Sequence, residues 1–147
     1  MRCRATFFSL ALSASLLLAA RNDESVEELN KRVEAARLED RPPLYIQIAR
    51  KRLADADTLY SSGDSEAARA AVADVAEYSD KASDAANRSG KKLKDTEIAM
   101  RKMAEKLRDL KRNVSFEDQA PIQKTVDRLE KMRDELLARM FGKKGEK

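Results

Sequence analysis

Carboxylates are the side chains with which this sequence could carry out acid–base chemistry. The sequence has no histidine, and its one cysteine is Cys3, so the commonest general base and the usual ligands of zinc, haem and iron–sulfur clusters are missing. Adjacent acids occur at Glu27-Glu28, Glu39-Asp40, Glu117-Asp118 and Asp134-Glu135. Neighbouring residues on a helix point in different directions, so these pairs do not share a face. We therefore expect no enzyme activity, cofactor or metal site, and we expect Glu117-Asp118 to supply a helix cap.

Basic side chains in the second half suggest a different chemistry, the binding of anions. The candidate contact residues are Lys91, Lys92, Lys94, Arg101, Lys102, Lys111, Arg112 and Arg133. Nucleic acid would require an uninterrupted basic patch, usually with stacking aromatic residues, and this half offers only Phe116 and Phe141 among interspersed acids. The pattern disfavours nucleic acid and favours a protein partner, self-association or an anionic envelope surface.

Arg133 differs from the other basic residues because it falls on an otherwise apolar helix face. One interpretation is that its stem packs while the guanidinium reaches solvent. The other is that it marks a docking surface or fixes the register of two helices. The remaining charges favour a solvated surface with acid-first pairs four residues apart. These pairs are Glu77 with Lys81, Asp84 with Arg88, Glu97 with Arg101, Asp127 with Lys131, and Glu135 with Arg139.

Residues 1–20 read as a signal peptide. Arg2 and Arg4 precede a fourteen-residue apolar run, Phe7 to Ala20, and the chain then becomes polar. This run is shorter than the ~20 residues of a membrane span and suits a signal peptide cleaved near Ala19 or Ala20. An uncleaved membrane anchor is the alternative. We expect export to the periplasm or the cell exterior, without a disulfide framework.

Charge is distributed unevenly along the rest of the chain. The 30 basic residues less Arg2 and Arg4 leave 28, against 26 acidic residues. Residues 21–90 carry 11 basic and 15 acidic side chains, whereas residues 91–147 carry 17 and 11. This asymmetry favours head-to-tail association or contact with an anionic surface.

The elements that position these residues are helices. Within 91–141, apolar residues recur at alternating three- and four-residue spacing, which predicts an antiparallel hairpin that turns near Ser115–Asp118. One seam is Leu93, Thr96, Met100, Met103, Leu107, Leu110 and Val114. The facing seam is Ile122, Val126, Leu129, Arg133, Leu136 and Met140. A flexible charged tail, 142–147, is expected to follow.

A similar pattern predicts a first hairpin over 44–86, with its turn at Ser61–Asp64. It resembles a single tetratricopeptide-type helix pair through Ala56, Gly63-Asp64, Ala68 and Val72. The resemblance covers 44–84 and implies a helical pair. It carries no peptide-binding groove, because a repeat solenoid requires at least three units and the chain shows no second copy.

A short amphipathic helix and a proline linker are expected within 21–41, before the hairpins. Ser25 and Glu28 form a capping-box signature. Pro42-Pro43 is expected to end this helix, which would then dock on the hairpins or remain partly disordered.

The joint at Gly90 leaves two all-α arrangements open for the helical domain, 42–141. If Gly90 ends a helix, the hairpins form an up-down four-helix bundle. If it lies inside one long helix, they form an elongated rod, which the narrow seams slightly favour. Either fold suits an exported, non-enzymatic structural or protein-interaction module. The alternative is a peripheral binder of anionic membranes or polymers through the basic half.

Overall fold

The computed structural model describes residues 24–142 as an all-helical unit, which confirms the predicted fold class. The predicted signal peptide and residues 143–147 of the predicted tail lie outside the described residues. The helices are α1 (Val26–Ala35), α2 (Arg41–Ser62), α3 (Ser65–Ser89), α4 (Leu93–Asn113) and α5 (Phe116–Phe141). A short 3-10 helix, Leu38–Asp40, precedes α2.

Helix α1 begins at the predicted capping box but ends earlier than expected. The Ser25 side chain accepts from the Glu28 amide at 3.2 Å, and the Glu28 carboxylate accepts from the Ser25 amide at 2.8 Å. The helix ends at Ala35, so the expectation that Pro42-Pro43 terminates it is wrong. The two prolines lie in the first turn of α2, where the missing N–H groups have no intrahelical partner to lose.

Helix α1 docks on the first hairpin. Leu29 and Val33 are buried with Leu44 and Ile48 of α2 in a small apolar cluster. Asn30 also donates to the hydroxyl of Tyr78, at 3.2 Å. A helix this short is marginal alone, so these tertiary contacts hold it in place.

Helices α2 and α3 form the first predicted hairpin. Gly63 ends α2 in the left-handed region at φ 85°, which glycine adopts without a Cβ penalty. The Asp64 side chain then accepts from the Ala67 amide at 3.1 Å and caps α3. An ion pair at 3.1 Å joins Arg52 of α2 to Asp74 of α3 across this hairpin.

Helices α4 and α5 form the second hairpin, with a break at Val114-Ser115. Cross-links between the two helices run along its length: Lys111 donates to Gln123 at 2.6 Å, Arg108 pairs with Glu130, and Arg133 donates to Glu97 at 2.6 Å. These contacts fit the predicted antiparallel pairing. The seam residues between Thr96 and Leu110 and between Ile122 and Leu136 are buried, except for Arg133.

The two hairpins pack side by side as a four-helix bundle, so the rod is wrong. Gly90 ends α3 at φ 67°, and one apolar core contains residues of α2, α3, α4 and α5. The physical reason is that the buried faces are wider than the apolar seams. Small or polar residues extend them, namely Ser79, Ser83, Ala99, Ala104 and Thr125.

Between the two hairpins, helices that run in the same direction lie side by side, α3 with α5 and α2 with α4. Ser65 and Arg69 near the start of α3 contact Asp118 near the start of α5, and Asp80 further along α3 pairs with Arg128 of α5. Helix α2 lies beside α4 in the same way, but these two make less contact with each other than α3 and α5 do. The alanine-rich α3 allows the close approach, and the α2/α4 side is left more open.

Candidate functional site

An open groove between α2 and α4 is a large concave feature of residues 24–142. It encloses about 680 Å³. Its walls are Arg50, Leu53, Ala54, Asp57, Lys102, Met103, Lys106, Asp109, Leu110 and Asn113. We call this feature the α2/α4 groove.

Helical spacing explains which side chains line the α2/α4 groove. On α2, Arg50, Ala54 and Asp57 recur at four and three residues and share one exposed stripe. On α4, Lys102, Lys106 and Asp109 do the same. The buried residues Leu53, Met103 and Leu110 form the apolar floor between these stripes.

Charge changes sign along the α2/α4 groove. Arg50 and Lys102 lie towards one end, Lys106 follows, and Asp57 and Asp109 lie towards the helix turns at the other end. Within residues 24–142 no ion pair engages Arg50, Lys102 or Lys106, whereas Asp109 already pairs with Arg112. The groove therefore presents cations that are free for an acidic ligand beside a small apolar surface.

The eight basic residues singled out from the sequence do not form a single patch. Only Lys102 lines the α2/α4 groove. Lys91 and Lys92 lie in the α3–α4 turn, Lys94 in the first turn of α4, and Arg101 on its exposed surface. The other three are engaged within the chain, in the contacts Lys111–Gln123, Arg112–Asp109 and Arg133–Glu97. The sequence interval of Lys94 to Lys111 corresponds to about 25 Å along a helix.

Arg133 pairs inside its own hairpin. Its Nε donates at 2.6 Å to Glu97, a residue only 8% exposed. This hydrogen bond raises the pKa of Arg133 above its already high value. Glu97 therefore pairs with Arg133 and not with Arg101, its predicted partner. Glu97 and Arg133 can reach each other because both flank the seam between α4 and α5. The Arg133 side chain is 35% exposed and bridges α5 to α4, so both interpretations of this residue stay predictions.

The other predicted acid-first pairs divide in the same way. Glu77–Lys81 at 2.6 Å and Asp84–Arg88 at 3.1 Å are present on α3. Asp127 instead accepts from Gln123 at 2.7 Å. Among the described residues, no ion pair joins Asp127 to Lys131 or Glu135 to Arg139. Alternative partners therefore replace two of the predicted pairs, Glu97–Arg101 and Asp127–Lys131.

Asp118 forms a polar cluster that sequence reasoning missed. It is 2% exposed and accepts from Arg69 at 2.6 Å, Ser115 at 2.7 Å and Ser65 at 3.1 Å. The hydrogen bond from Ser115, reinforced by Arg69 and Ser65, outweighs burial and holds the Asp118 pKa below its ordinary range. Burial together with the nearby Asp118 carboxylate raises the pKa of Tyr60. Asp118 thus joins the starts of α3 and α5 and does not cap α5 as expected, since the N-cap residue of α5 is Ser115.

The acids that show a lowered pKa serve structural contacts. The hydrogen bond with the Ser25 amide lowers the pKa of Glu28, and the bond with Lys81 lowers that of Glu77. Within residues 24–142, no three histidine, cysteine, aspartate or glutamate side chains lie close enough together to hold a metal ion. Within this same stretch, no helix is both long and apolar enough to span a bilayer.

Comparison of the chain with protein-family models, with curated proteins and with solved structures finds no significant match. The likeness of 44–84 to a tetratricopeptide-type pair therefore stays a prediction.

Proposed function

We propose that this chain is a non-enzymatic helical module that binds a protein partner through the α2/α4 groove. The observation that carries the proposal is the juxtaposition of three unpaired cations, Arg50, Lys102 and Lys106, with the apolar floor of an open groove. Other cations of the described chain, such as Lys91, Lys92 and Lys94, also have no ion pair, but Arg50, Lys102 and Lys106 lie beside the apolar floor of a groove.

The chemistry of the α2/α4 groove defines the partner segment. Acidic side chains would contact Arg50, Lys102 and Lys106, and a small apolar side chain would lie against Ala54 and the edges of Leu53 and Met103. Asp57 and Asp109, which also line the groove, would repel a segment that is acidic along its whole length. The groove thus favours one direction of binding, with the acidic part of the partner at the Arg50 end.

Export belongs to the same proposal. The apolar run of residues 7–20 supports release into the periplasm or the cell exterior after cleavage near Ala19 or Ala20, so the partner would be an envelope or extracellular protein. Pulse labelling in the native host tests this part, because cleavage would shorten the chain by about 20 residues. Retention of the full-length chain in the membrane fraction would favour the uncleaved anchor.

Site-specific photo-crosslinking tests the proposed groove. A photoreactive amino acid replaces Ala54, which is exposed in the groove, or Ala73, which is exposed on α3. Crosslinking in intact cells is expected to join a discrete partner to position 54 and not to position 73. Lys102→Glu together with Lys106→Glu is expected to weaken the crosslink at least ten-fold, because the charge that faces an acidic segment is reversed.

Two results would overturn the proposed function. One is equal crosslinking at positions 54 and 73, which indicates random collision. The other is strictly monomeric sedimentation of the purified chain combined with no product at position 54 in cells. A product at position 54 that consists of two copies of this chain would assign the groove to self-association instead.

A further inference from the structure

Three lysines without an ion pair in the described part of the chain gather at one end of the bundle. Lys91 and Lys92 lie in the α3–α4 turn and Lys94 in the first turn of α4, and all three are exposed. Nearby Arg88 is engaged by Asp84 at 3.1 Å, and Arg37 by Glu39 at 3.0 Å. The remaining neighbours balance one another: Asp95 and Arg139 are exposed at this end, and Asp40, which lines a groove with Lys92, adjoins Arg41. The surplus of positive charge at this end therefore comes mainly from the three lysines.

An exposed aromatic side chain lies at the same end. Phe141 is the last residue of α5 and is 69% exposed. The antiparallel contacts Arg133–Glu97 and Lys111–Gln123 place the end of α5 beside the start of α4. Phe141 therefore lies at the same end of the bundle as the α3–α4 turn. We call Lys91, Lys92, Lys94 and Phe141 the basic end.

Lys92 adopts an unfavourable backbone conformation. Lys92 is the one non-glycine residue of the described chain with positive φ, at 60°. This conformation favours glycine or asparagine and is uncommon for a lysine. Its companion Gly90, at φ 67°, has open space around it, so the turn itself is not crowded. Position 92 therefore carries a positive charge, although glycine or asparagine would adopt this turn conformation more easily.

We propose that the basic end docks on an anionic phospholipid surface. The lysines would contact lipid phosphates, and Phe141 would enter the boundary between headgroups and acyl chains, as aromatic residues do at membrane interfaces. An anionic polymer would satisfy the lysines equally, but it offers no apolar layer for Phe141. The bundle axis would stand upright on the surface, and the α2/α4 groove along its side would stay free. This docking is independent of the proposed protein-binding function.

A tryptophan reporter tests which end meets the lipid. The sequence contains no tryptophan, so Phe141→Trp introduces a single fluorescent probe. Phe116→Trp is the matched control, because Phe116 is 87% exposed at the start of α5, at the opposite end of the bundle. The protein used is residues 21–147, which contain the whole described core and omit the apolar run of residues 7–20 that would bind vesicles by itself. Vesicles of phosphatidylglycerol and phosphatidylcholine are expected to shift the emission of Trp at 141 to the blue and to leave Trp at 116 unchanged.

A charge series tests the lysines. Replacing Lys91, Lys92 and Lys94 by glutamine is expected to weaken partitioning about five-fold per lysine, so about a hundred-fold in total. The control removes the same charge elsewhere, with glutamine at Lys102, Lys106 and Lys124, and is expected to weaken it less than five-fold. Raising the salt from 50 to 500 mM should also release the protein, because screening shortens the electrostatic range.

Three outcomes would overturn the proposal. The first is equal weakening in both lysine series, which would mean that net charge acts without a defined surface. The second is equal blue shifts at positions 116 and 141, or equal binding to vesicles of phosphatidylcholine alone. The third is binding to polyphosphate as tight as to vesicles and unaffected by Phe141→Ala, which would make the lysines a polyanion site. Circular dichroism of each variant confirms that the bundle is folded.

Discussion

At the scale of single residues, buried or partly buried ion pairs give this bundle its specific contacts. Asp118 joins α3 to α5 through Arg69 and Ser65, and Glu97 joins α4 to α5 through Arg133. Removing one partner of such a contact leaves the other polar group without its hydrogen bond in a desolvated place. We therefore expect substitutions at Asp118 and Glu97 to destabilise the bundle.

Asp118→Asn tests the polar cluster at pH 7. The substitution keeps the shape of the side chain and removes the charge that Arg69 neutralises, so we expect the melting temperature to fall by several degrees. Glu117→Gln, at the exposed neighbouring position, is the control and should change it by less than about two degrees. A thermal scan by circular dichroism measures both. Identical melting temperatures for Asp118→Asn and wild type would contradict the assigned role.

The same carboxylate predicts how stability depends on pH. Since the folded pKa of Asp118 is lowered, its stabilising contribution is present above the unfolded pKa of about 4 and disappears as the pH falls through the folded value. Urea denaturation should therefore show a large difference between wild type and Asp118→Asn at pH 7 that shrinks towards pH 2. A difference that is the same at both values would place the effect outside ionisation.

Lys92 offers a prediction of opposite sign. Lys92→Gly relieves the left-handed conformation at φ 60° and should stabilise the protein by about 0.5–1 kcal/mol, after the entropy cost of glycine in the unfolded chain. Lys91→Gly is the control, because Lys91 is not among the residues with positive φ, and it should give no gain. Urea midpoints compare the two. A loss of stability for Lys92→Gly would mean that the lysine side chain makes compensating contacts.

At the scale of elements, the helices and their pairing follow from the sequence, but the joining of the two hairpins does not. The capping box at Ser25 and the turn at Gly63 follow from local patterns. The second turn, expected near Ser115–Asp118, lies slightly earlier, at Val114-Ser115. The α3/α5 contact depends on alanines, serines and Asp118, which read as neutral or solvated when each helix is considered alone. Likewise, the α2/α4 groove arises because two helices are held apart, and no periodicity within either helix encodes this separation.

The close α3 packing predicts a strong effect of side-chain volume. Ala82 of α3 is fully buried in the core that the four bundle helices share. Ala82→Leu would overpack this core and destabilise the protein by about 1–3 kcal/mol. Ala73→Leu, on the exposed face of α3, should stay within about 0.5 kcal/mol of wild type. Chemical denaturation of both variants makes the comparison. Equal stability of the two would show that α3 has room against its neighbours.

At the scale of the whole molecule, the bundle and the rod differ in size as well as in contacts. A compact unit of this length has a radius of gyration of about 14 Å. A continuous helix from Ser65 to Asn113 would be roughly 74 Å long, and its length alone would raise the radius of gyration above about 20 Å. Small-angle scattering of residues 21–147 is therefore expected to give a radius of gyration near 14–16 Å.

The variant Gly90→Ala tests whether the glycine is needed to keep the hairpins together, because alanine favours a helix and disfavours the left-handed conformation at φ 67°. We expect it to destabilise the bundle by about 1 kcal/mol without extending it, since opening into a rod would expose the core that α2 and α3 share with α4 and α5. An extended scattering profile for the variant would show that the glycine, rather than the shared core, keeps the hairpins together.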